Sequence, residues 1–362
     1  MPPEGASVRL SMVSIALFSV LAAAVFILAL FPPTITTAPA STVILPAKRA
    51  LILDDILSGY ATINEGADHI LAVSKRTLEW GTNGPMVRIY PSLARIQVTG
   101  NIEIPDPEQV LRLRPDIVFA STWQAGFLRM LRLPGLLEVK YNSQKPTQFR
   151  VDTWKAMGET TGKSARAAAL QDRYAMRMAA LGKQIPSDAT KHKRVAYVGS
   201  YKGAWWNANS SYYLAYKLEL AGAINAAKGF KFNSAADLEQ LLLLDPDVIL
   251  FISNPGDKTT MKEILGQTEF QSVRAVKEHR IYKLPEHTYM NEPVEDPLLL
   301  TWMAEVFYPD VMPRRLRDEY KETYREVYHY AISDDEIDKA IYLDENRHSA
   351  GYDRFARQDV GR

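Results

Sequence analysis

Aromatic, amide and basic side chains gather at the ends of four apolar runs of this chain. "PDIVFAS" gives way to "TWQAGF", which places Thr122, Trp123 and Gln124 together. "RVAYVGS" runs into "YKGAWWNANSS", with Tyr201, Lys202, Trp205, Trp206, Asn207 and Asn209. "RIYKLPE" is followed by His287, Thr288 and Tyr289, and "DHILAVS" by Lys75 and Arg76. Three of the six tryptophans fall in two of these segments. Indole and phenol rings offer flat apolar faces with a polar edge, and flanking amides and bases fix orientation. That combination suits a large, flat or chelated organic ligand, often an anionic one. The plainer alternative for Trp205 and Trp206 is that they close the edge of a folding unit.

His287 and Tyr289 are also the two side chains here that a metal could use as donors. The plainer alternative is a histidine that hydrogen-bonds its own loop. A bare divalent ion needs several imidazoles and carboxylates converging on one point. His69, His192, His279, His329 and His348 do not fall at such strand ends. Catalytic patterns are missing from the sequence: there is no Gly-x-Gly-x-x-Gly after a strand, no phosphate-cradling loop ending in Gly-Lys-Ser/Thr, and no Gly-x-Ser-x-Gly elbow. The residues therefore point to binding, and no enzyme activity is expected.

The elements that must position these residues repeat. "DPEQVLRLRPDIVF", Asp106 to Phe119, returns as "DLEQLLLLDPDVIL", Asp237 to Leu250, at an offset of 131 residues, with seven of fourteen positions identical. Asp106 has the character of an N-cap, followed by Pro107 at the first helical position, so each copy reads as a helix, a turn and a strand. Around them, "RALIL", "DHILAVS" and "LLEVKY" read as strands in the first half, and "RVAYVGS" and "RIYKLP" in the second, with amphipathic stretches between. Strands alternating with helices predict parallel, doubly wound sheets. The fold class expected is α/β, as two Rossmann-like lobes joined by one long α-helix. The joining helix is "TGKSARAAALQDRYAMRMAALGKQI", with Ser164 as its cap and Leu170, Tyr174, Met178 and Leu181 as one apolar stripe. It is Gly-poor, a stiff connector and not a hinge. In open α/β sheets ligands bind beyond the carboxyl ends of strands, which is where the four clusters lie.

The expected organisation is residues 1–41 as a leader, 42–160 as the first lobe, 161–186 as the connector, 187–332 as the second lobe and 333–362 as a helical tail. Tyr320, Tyr324, Val327 and Tyr328 form a stripe that packs on the second lobe, and residues from about Asn346 are expected to be solvated. In the leader, the uncharged run Leu10–Phe31 is followed by Ala38 and Ala40 in the A-x-A arrangement of a cleavage site. It reads either as a signal peptide or as a retained anchor, since roughly twenty apolar residues span a bilayer. Both destinations are outside the cytoplasm, and a periplasm is expected. No cysteine occurs, which excludes disulfides, thiolate metal sites and lipid attachment at an N-terminal Cys. A formal net charge of +1 gives no case for a nucleic-acid partner.

Six stretches in order carry a family resemblance: "GNIEIPDPEQVLRLRPDIVFAS", "WKAMGETTGKSARAAAL", "YYLAYKLELAGAINAA", "AVKEHRIYKLPE", "DPLLLTWMAEVFYPD" and "YREVYHYAISDDEIDKAI". Together they resemble the periplasmic substrate-binding components of ABC importers for iron–siderophore, haem, cobalamin and related metal chelates. The resemblance implies a ligand cleft between the lobes, no intrinsic cofactor, a small-molecule metal chelate as ligand (an iron(III)-siderophore foremost) and a membrane permease as partner of a monomer. Residue types at strand ends nominate Trp123, Gln124, Tyr201, Trp205, Trp206, Asn207, His287 and Tyr289 as ligand-binding residues, with His287 as a candidate metal donor. The resemblance further implies that one exposed Glu per lobe meets arginines of the permease, and the matching positions are Glu108 and Glu239. A Glu at the second position of a helix is also favoured by the helix dipole alone, by about 0.3–1 kcal/mol. The rival reading of the whole chain is a membrane-anchored sensory or interaction module using the same ligand-binding fold.

Overall fold

The computed structural model describes residues 45–82, 85–100, 105–140, 146–201, 204–207, 212–228, 238–253, 259–285 and 294–358. Its two five-stranded sheets are the doubly wound lobes expected from the alternation of elements. The first has the order β3-β2-β1-β4-β5, from β1 (Ala50–Ile52), β2 (Ile70–Val73), β3 (Gln97–Val98), β4 (Ile117–Ser121) and β5 (Leu136–Val139). All its pairings are parallel. The second has the order β10-β9-β6-β7, from β6 (Arg194–Tyr201), β7 (Ala204–Asn207), β9 (Val248–Ser253) and β10 (Ile281–Lys283); β8 (Ile224–Asn225) pairs with the start of β6. Ala50, Leu51 and Ile52 are all fully buried. A parallel strand covered on both faces reads as an unbroken apolar run, which is what "RALIL" is.

The repeated Pro-Asp does the same work in both lobes. Asp116 Oδ2 accepts the Lys48 N–H at 2.9 Å, and Asp247 Oδ2 accepts the Arg194 N–H at 2.8 Å. In return the Asp116 N–H donates to Arg49 O at 2.9 Å and the Asp247 N–H to Arg194 O at 2.7 Å. Each aspartate thus fixes the entry of β4 or β9 against the entry of β1 or β6. An arginine completes each junction by donating to carbonyls at the end of the preceding helix, Arg49 to Leu113 O and Arg114 O, and Arg194 to Leu244 O. Those carbonyls have no partner within their own helix.

Ser164–Gly182 is a single helix of 19 residues, spanning about 28 Å at ~1.5 Å per residue. Leu170, Tyr174 and Leu181 are buried along it, and Met178 packs beside them. Ser164 is not its cap: Lys163 holds that position and makes no side-chain capping bond. The turn is set from upstream. The helix Pro146–Thr161 ends at Gly162, whose φ of +72° is left-handed, and the Lys163 N–H closes onto Gly158 O at 2.8 Å. Glycine adopts that conformation without the clash a Cβ would bring.

The charged stretch after Pro309 forms the helices Leu316–Tyr328 and Asp334–Ala340, and Tyr320, Tyr324, Val327 and Tyr328 are buried. The first of these helices lies along the connector. Arg173 Nε meets Glu326 Oε2 at 2.9 Å, and Arg177 Nη2 meets Glu322 Oε2 at 2.5 Å. Arg166 donates to Val327 O at 2.6 Å and to Thr62 O of the first lobe at 3.0 Å. One apolar cluster runs from Ile52 and Phe119 of the first lobe through Leu170 and Tyr174 to Tyr197 and Leu250 of the second and Trp302 beyond it.

The expectation of a solvated tail from Asn346 is overturned. Asn346 is 0% exposed, and Tyr352, Arg354 and Phe355 are buried. The cause is the open edge of the second sheet, where β10 is outermost and its outer peptide groups need partners. Asn346 Oδ1 accepts the Lys283 N–H at 2.6 Å, and Asn346 Nδ2 donates to Lys283 O at 2.9 Å. Ser349 Oγ donates to Ile281 O at 2.6 Å, and Tyr282 Oη to Ala350 O at 2.8 Å.

Candidate functional site

The strand order of the first sheet reverses between β1 and β4, and a crevice opens at such a reversal beyond the carboxyl ends. β1 ends at Ile52 and is followed by Leu53, Asp54 and Asp55; β4 ends at Ser121. "TWQAGF" is not the loop its position after a strand suggests. Thr122–Leu128 is a helix that starts directly from the strand, capped reciprocally by Ser121 and Gln124. The Ser121 N–H and Oγ–H both donate to Gln124 Oε1, at 3.1 and 3.0 Å. Gln124 Nε2 reaches across to Leu53 O at 3.4 Å. Gln124 is therefore a buried tie between the two strand ends. The adjacent Trp123 is 57% exposed, so a large apolar face is left open at the rim.

The end of β2 adds a basic group. Ser74 Oγ and Thr77 Oγ1 bond at 2.8 Å, and Thr77 Oγ1 donates to Leu53 O at 3.1 Å. Between them, Arg76 Nε meets Asp55 Oδ2 at 2.7 Å, with the arginine side chain 39% exposed and the aspartate 10%. Burial pushes the Asp55 carboxyl above its ordinary range, and the Arg76 guanidinium pulls it back down. The pair fixes one edge of the guanidinium beside the crevice. Asp55 was not among the expected site residues; its signal was the pair of acids closing the strand in "LILDD". A cavity of about 290 Å³ lies at the end of β5, against Phe119, Val139, Lys140, Gln148, Phe149 and Asp152.

In the second lobe, "YKGAWWNANSS" is also not a plain loop. β7 runs antiparallel to β6, with Trp205 opposite Ser200 and Trp206 opposite Gly199. The side chains of Tyr201, Trp205, Trp206 and Asn207 lie outside the described residues, as do His287 and Tyr289. Among the described residues no group of three or more His, Asp or Glu is placed to hold a metal ion, and no helix is long and apolar enough to cross a membrane. Glu108 and Glu239 lie in the first turns of the helices Pro107–Leu113 and Leu238–Leu244, and both are exposed. Asp106 caps the first of these through the Glu108 and Gln109 amides, at 3.0 and 3.3 Å.

A family model described as periplasmic binding protein matches residues 66–288. The chain is 24% identical over 315 residues to the molybdate-binding protein MolA of Haemophilus influenzae, covering 78% of this chain and 87% of that one. Among solved structures, a periplasmic solute binding protein from Veillonella parvula superposes with a TM-score of 0.69 at 23% identity, over 83% of this chain and 93% of that one. CeuE of Helicobacter pylori with Ni(II) bound superposes with a TM-score of 0.63 at 16% identity, over 82% and 95%.

Proposed function

The chain belongs to the periplasmic binding protein family, and on that premise we propose that it captures an anionic metal chelate, an iron(III)-siderophore foremost, in the cleft between its lobes. In coarser terms it is a periplasmic solute-binding component of an ABC importer, a binder and not an enzyme. One observation carries the finer reading: an arginine held by a largely buried carboxylate, Arg76 on Asp55, and the exposed indole of Trp123 follow the carboxyl ends of β2, β1 and β4, three consecutive strands of the first sheet. A guanidinium reads carboxylate or hydroxamate oxygens through charge-assisted hydrogen bonds, and an indole face covers the apolar body of a chelate. Tyr201, Trp205, Trp206, Asn207, His287 and Tyr289 supply the opposite wall in this reading, with His287 as an iron donor. Gln124 contributes shape by tying the two strand ends together.

A compact metal oxyanion is the second reading, favoured by the similarity to a molybdate-binding protein. Titration of tryptophan fluorescence with iron(III) complexes of hydroxamate and catecholate siderophores, beside molybdate, separates the two. Quenching by a siderophore complex that weakens in Trp123→Ala supports the chelate; binding of molybdate alone sinks it. Delivery to the permease is assigned to Glu108 and Glu239, one from each lobe. Changing both to Ala should abolish uptake and leave ligand affinity intact.

A further inference from the structure

Most of the repeated phrase is explained by the fold. Asp106 caps a helix, Asp116 and Asp247 lock strand entries, and Val110 and Leu241 are buried. Two of its identities have no such role. Glu108 and Glu239 are exposed, and among the described residues neither side chain takes part in an ion pair or hydrogen bond. Three residues on, Leu111 is 49% exposed and Leu242 is 45% exposed. Residues three apart share one side of a helix, so each lobe displays the same couple, an exposed carboxylate beside a half-exposed leucine. The next position, exposed in both, is Arg112 in the first lobe and Leu243, 79% exposed, in the second.

We propose that Leu111 and Leu242, the latter extended by Leu243, are the apolar half of the surface that docks on the membrane permease. Each lobe presents its carboxylate–leucine couple to a site holding a cation beside an apolar hollow, and the two sites sit on symmetry-related copies of one membrane subunit. The inference rests on the docking reading of Glu108 and Glu239. Twofold symmetry follows from the repeat: a partner that matches both couples must offer one complement twice, which a pair of identical subunits does. Charge argues against a second copy of this chain as occupant, because like couples would bring carboxylate against carboxylate. Burial of the leucine centre with a charged rim is the usual division of labour in such a contact, the apolar group giving affinity and the charge giving orientation.

The test places a photoreactive benzoylphenylalanine in the full chain, in the cells that encode it, at position 111, 242, 108 or 239. The exposed positions of Met130 and Met176 serve as controls. Irradiation should join positions 111 and 242 to the same membrane-spanning polypeptide, and the controls to neither. If 108 and 239 capture that polypeptide while 111 and 242 do not, the apolar half is wrong and the carboxylate reading stands. If none of the four reaches it, both fall. Capture of a second copy of this chain at 111 and 242 overturns the proposal in favour of a dimer contact. In parallel, Leu111→Ser with Leu242→Ser should weaken binding to the permease in nanodiscs by about tenfold or more, with an unchanged melting temperature because both side chains are already half in water. Unchanged affinity overturns the proposal.

Discussion

Arg354 offers the sharpest test of the structure, because sequence places it in a solvated tail and the fold places it in the core. Its side chain is 6% exposed and that of its partner Glu305 is 1% exposed, with Nε to Oε2 at 3.0 Å. Its other nitrogens donate to Pro309 O at 2.8 Å and Met312 O at 2.9 Å. In Arg354→Met, two buried carbonyls and one carboxylate oxygen lose their donor. The other oxygen, Glu305 Oε1, keeps the Arg315 and Leu316 amides, both at 3.0 Å. Removing one member of a buried ion pair costs about 3–5 kcal/mol. At roughly 2 °C per kcal/mol for a chain of this size, the melting temperature should fall by about 6–10 °C. Thermal unfolding followed by circular dichroism measures it. The loss should also depend on pH. Burial already holds the Glu305 carboxyl above its ordinary range and Arg354 lowers it. Without the arginine, folded Glu305 binds its proton still more tightly than unfolded Glu305 does. The variant's penalty is then full above that raised value and relieved as pH falls, so it should be larger at about pH 8 than at about pH 5. Glu305→Gln combined with Arg354→Met should recover part of the loss. A fall of under about 2 °C, or one independent of pH, would refute the placement of Arg354 in the core.

Asn346→Ala should cost about 1–3 kcal/mol, since the Lys283 N–H and C=O lose their partners inside the fold; faster amide exchange at Lys283 would localise the effect. Glu295 is buried, and the hydroxyls of Tyr324 and Tyr328 donate to it at 2.8 and 3.1 Å. Burial raises its carboxyl above the ordinary 4.5, so the folded state keeps the proton to higher pH and stability is lost as pH rises through the folded value. Glu295→Gln should therefore flatten the fall in melting temperature between about pH 5 and pH 8; an equally steep profile counts against it. Arg76→Gln should weaken siderophore binding by roughly tenfold or more, the value of a charge-assisted hydrogen bond. Asp55→Asn should weaken it less, because the guanidinium is still present.

What sequence could show depended on whether the cause was local. "RALIL", "DHILAVS", "PDIVFAS", "LLEVKY", "RVAYVGS", "PDVILFIS" and "RIYKLP" each contain a strand; the inner ones are legible because a doubly covered parallel strand writes itself as an apolar run, while the edge strand in "LLEVKY" is only half-buried. Gln97–Val98 and Ile224–Asn225 are two residues each, too short to carry a period. Ser121 and Gln124 had the spacing of a capping box, a local signal that their aromatic neighbour obscured. Arg354 and Asn346 were illegible for a different reason. Their partners, Glu305 and Lys283, lie 49 and 63 positions away, and no window of sequence joins an Asn to a strand edge at that distance. Charge density near the C-terminus then favoured water, when those charges pair with one another.

Rigidity ties these observations to transport. Domains that rotate against each other are joined by exposed linkers crossed by few contacts. Here the connector shares an apolar cluster with both lobes. It is braced along its length by Arg166, Arg173 and Arg177, with Arg166 reaching Thr62 of the first lobe and Val327 of the terminal helix at once. Swinging the lobes apart would expose that cluster at about 2.5 kcal/mol for every 100 Å². The terminal helices and the edge-capping segment therefore act as a splint, and the charged composition that suggests a tail is the material of its ion pairs. The separation of the Pro107–Leu113 and Leu238–Leu244 helices follows from the same core. A repeated couple on a rigid body works as a ruler, and only a rigid body gives two equal contacts a fixed distance for a symmetric partner to match.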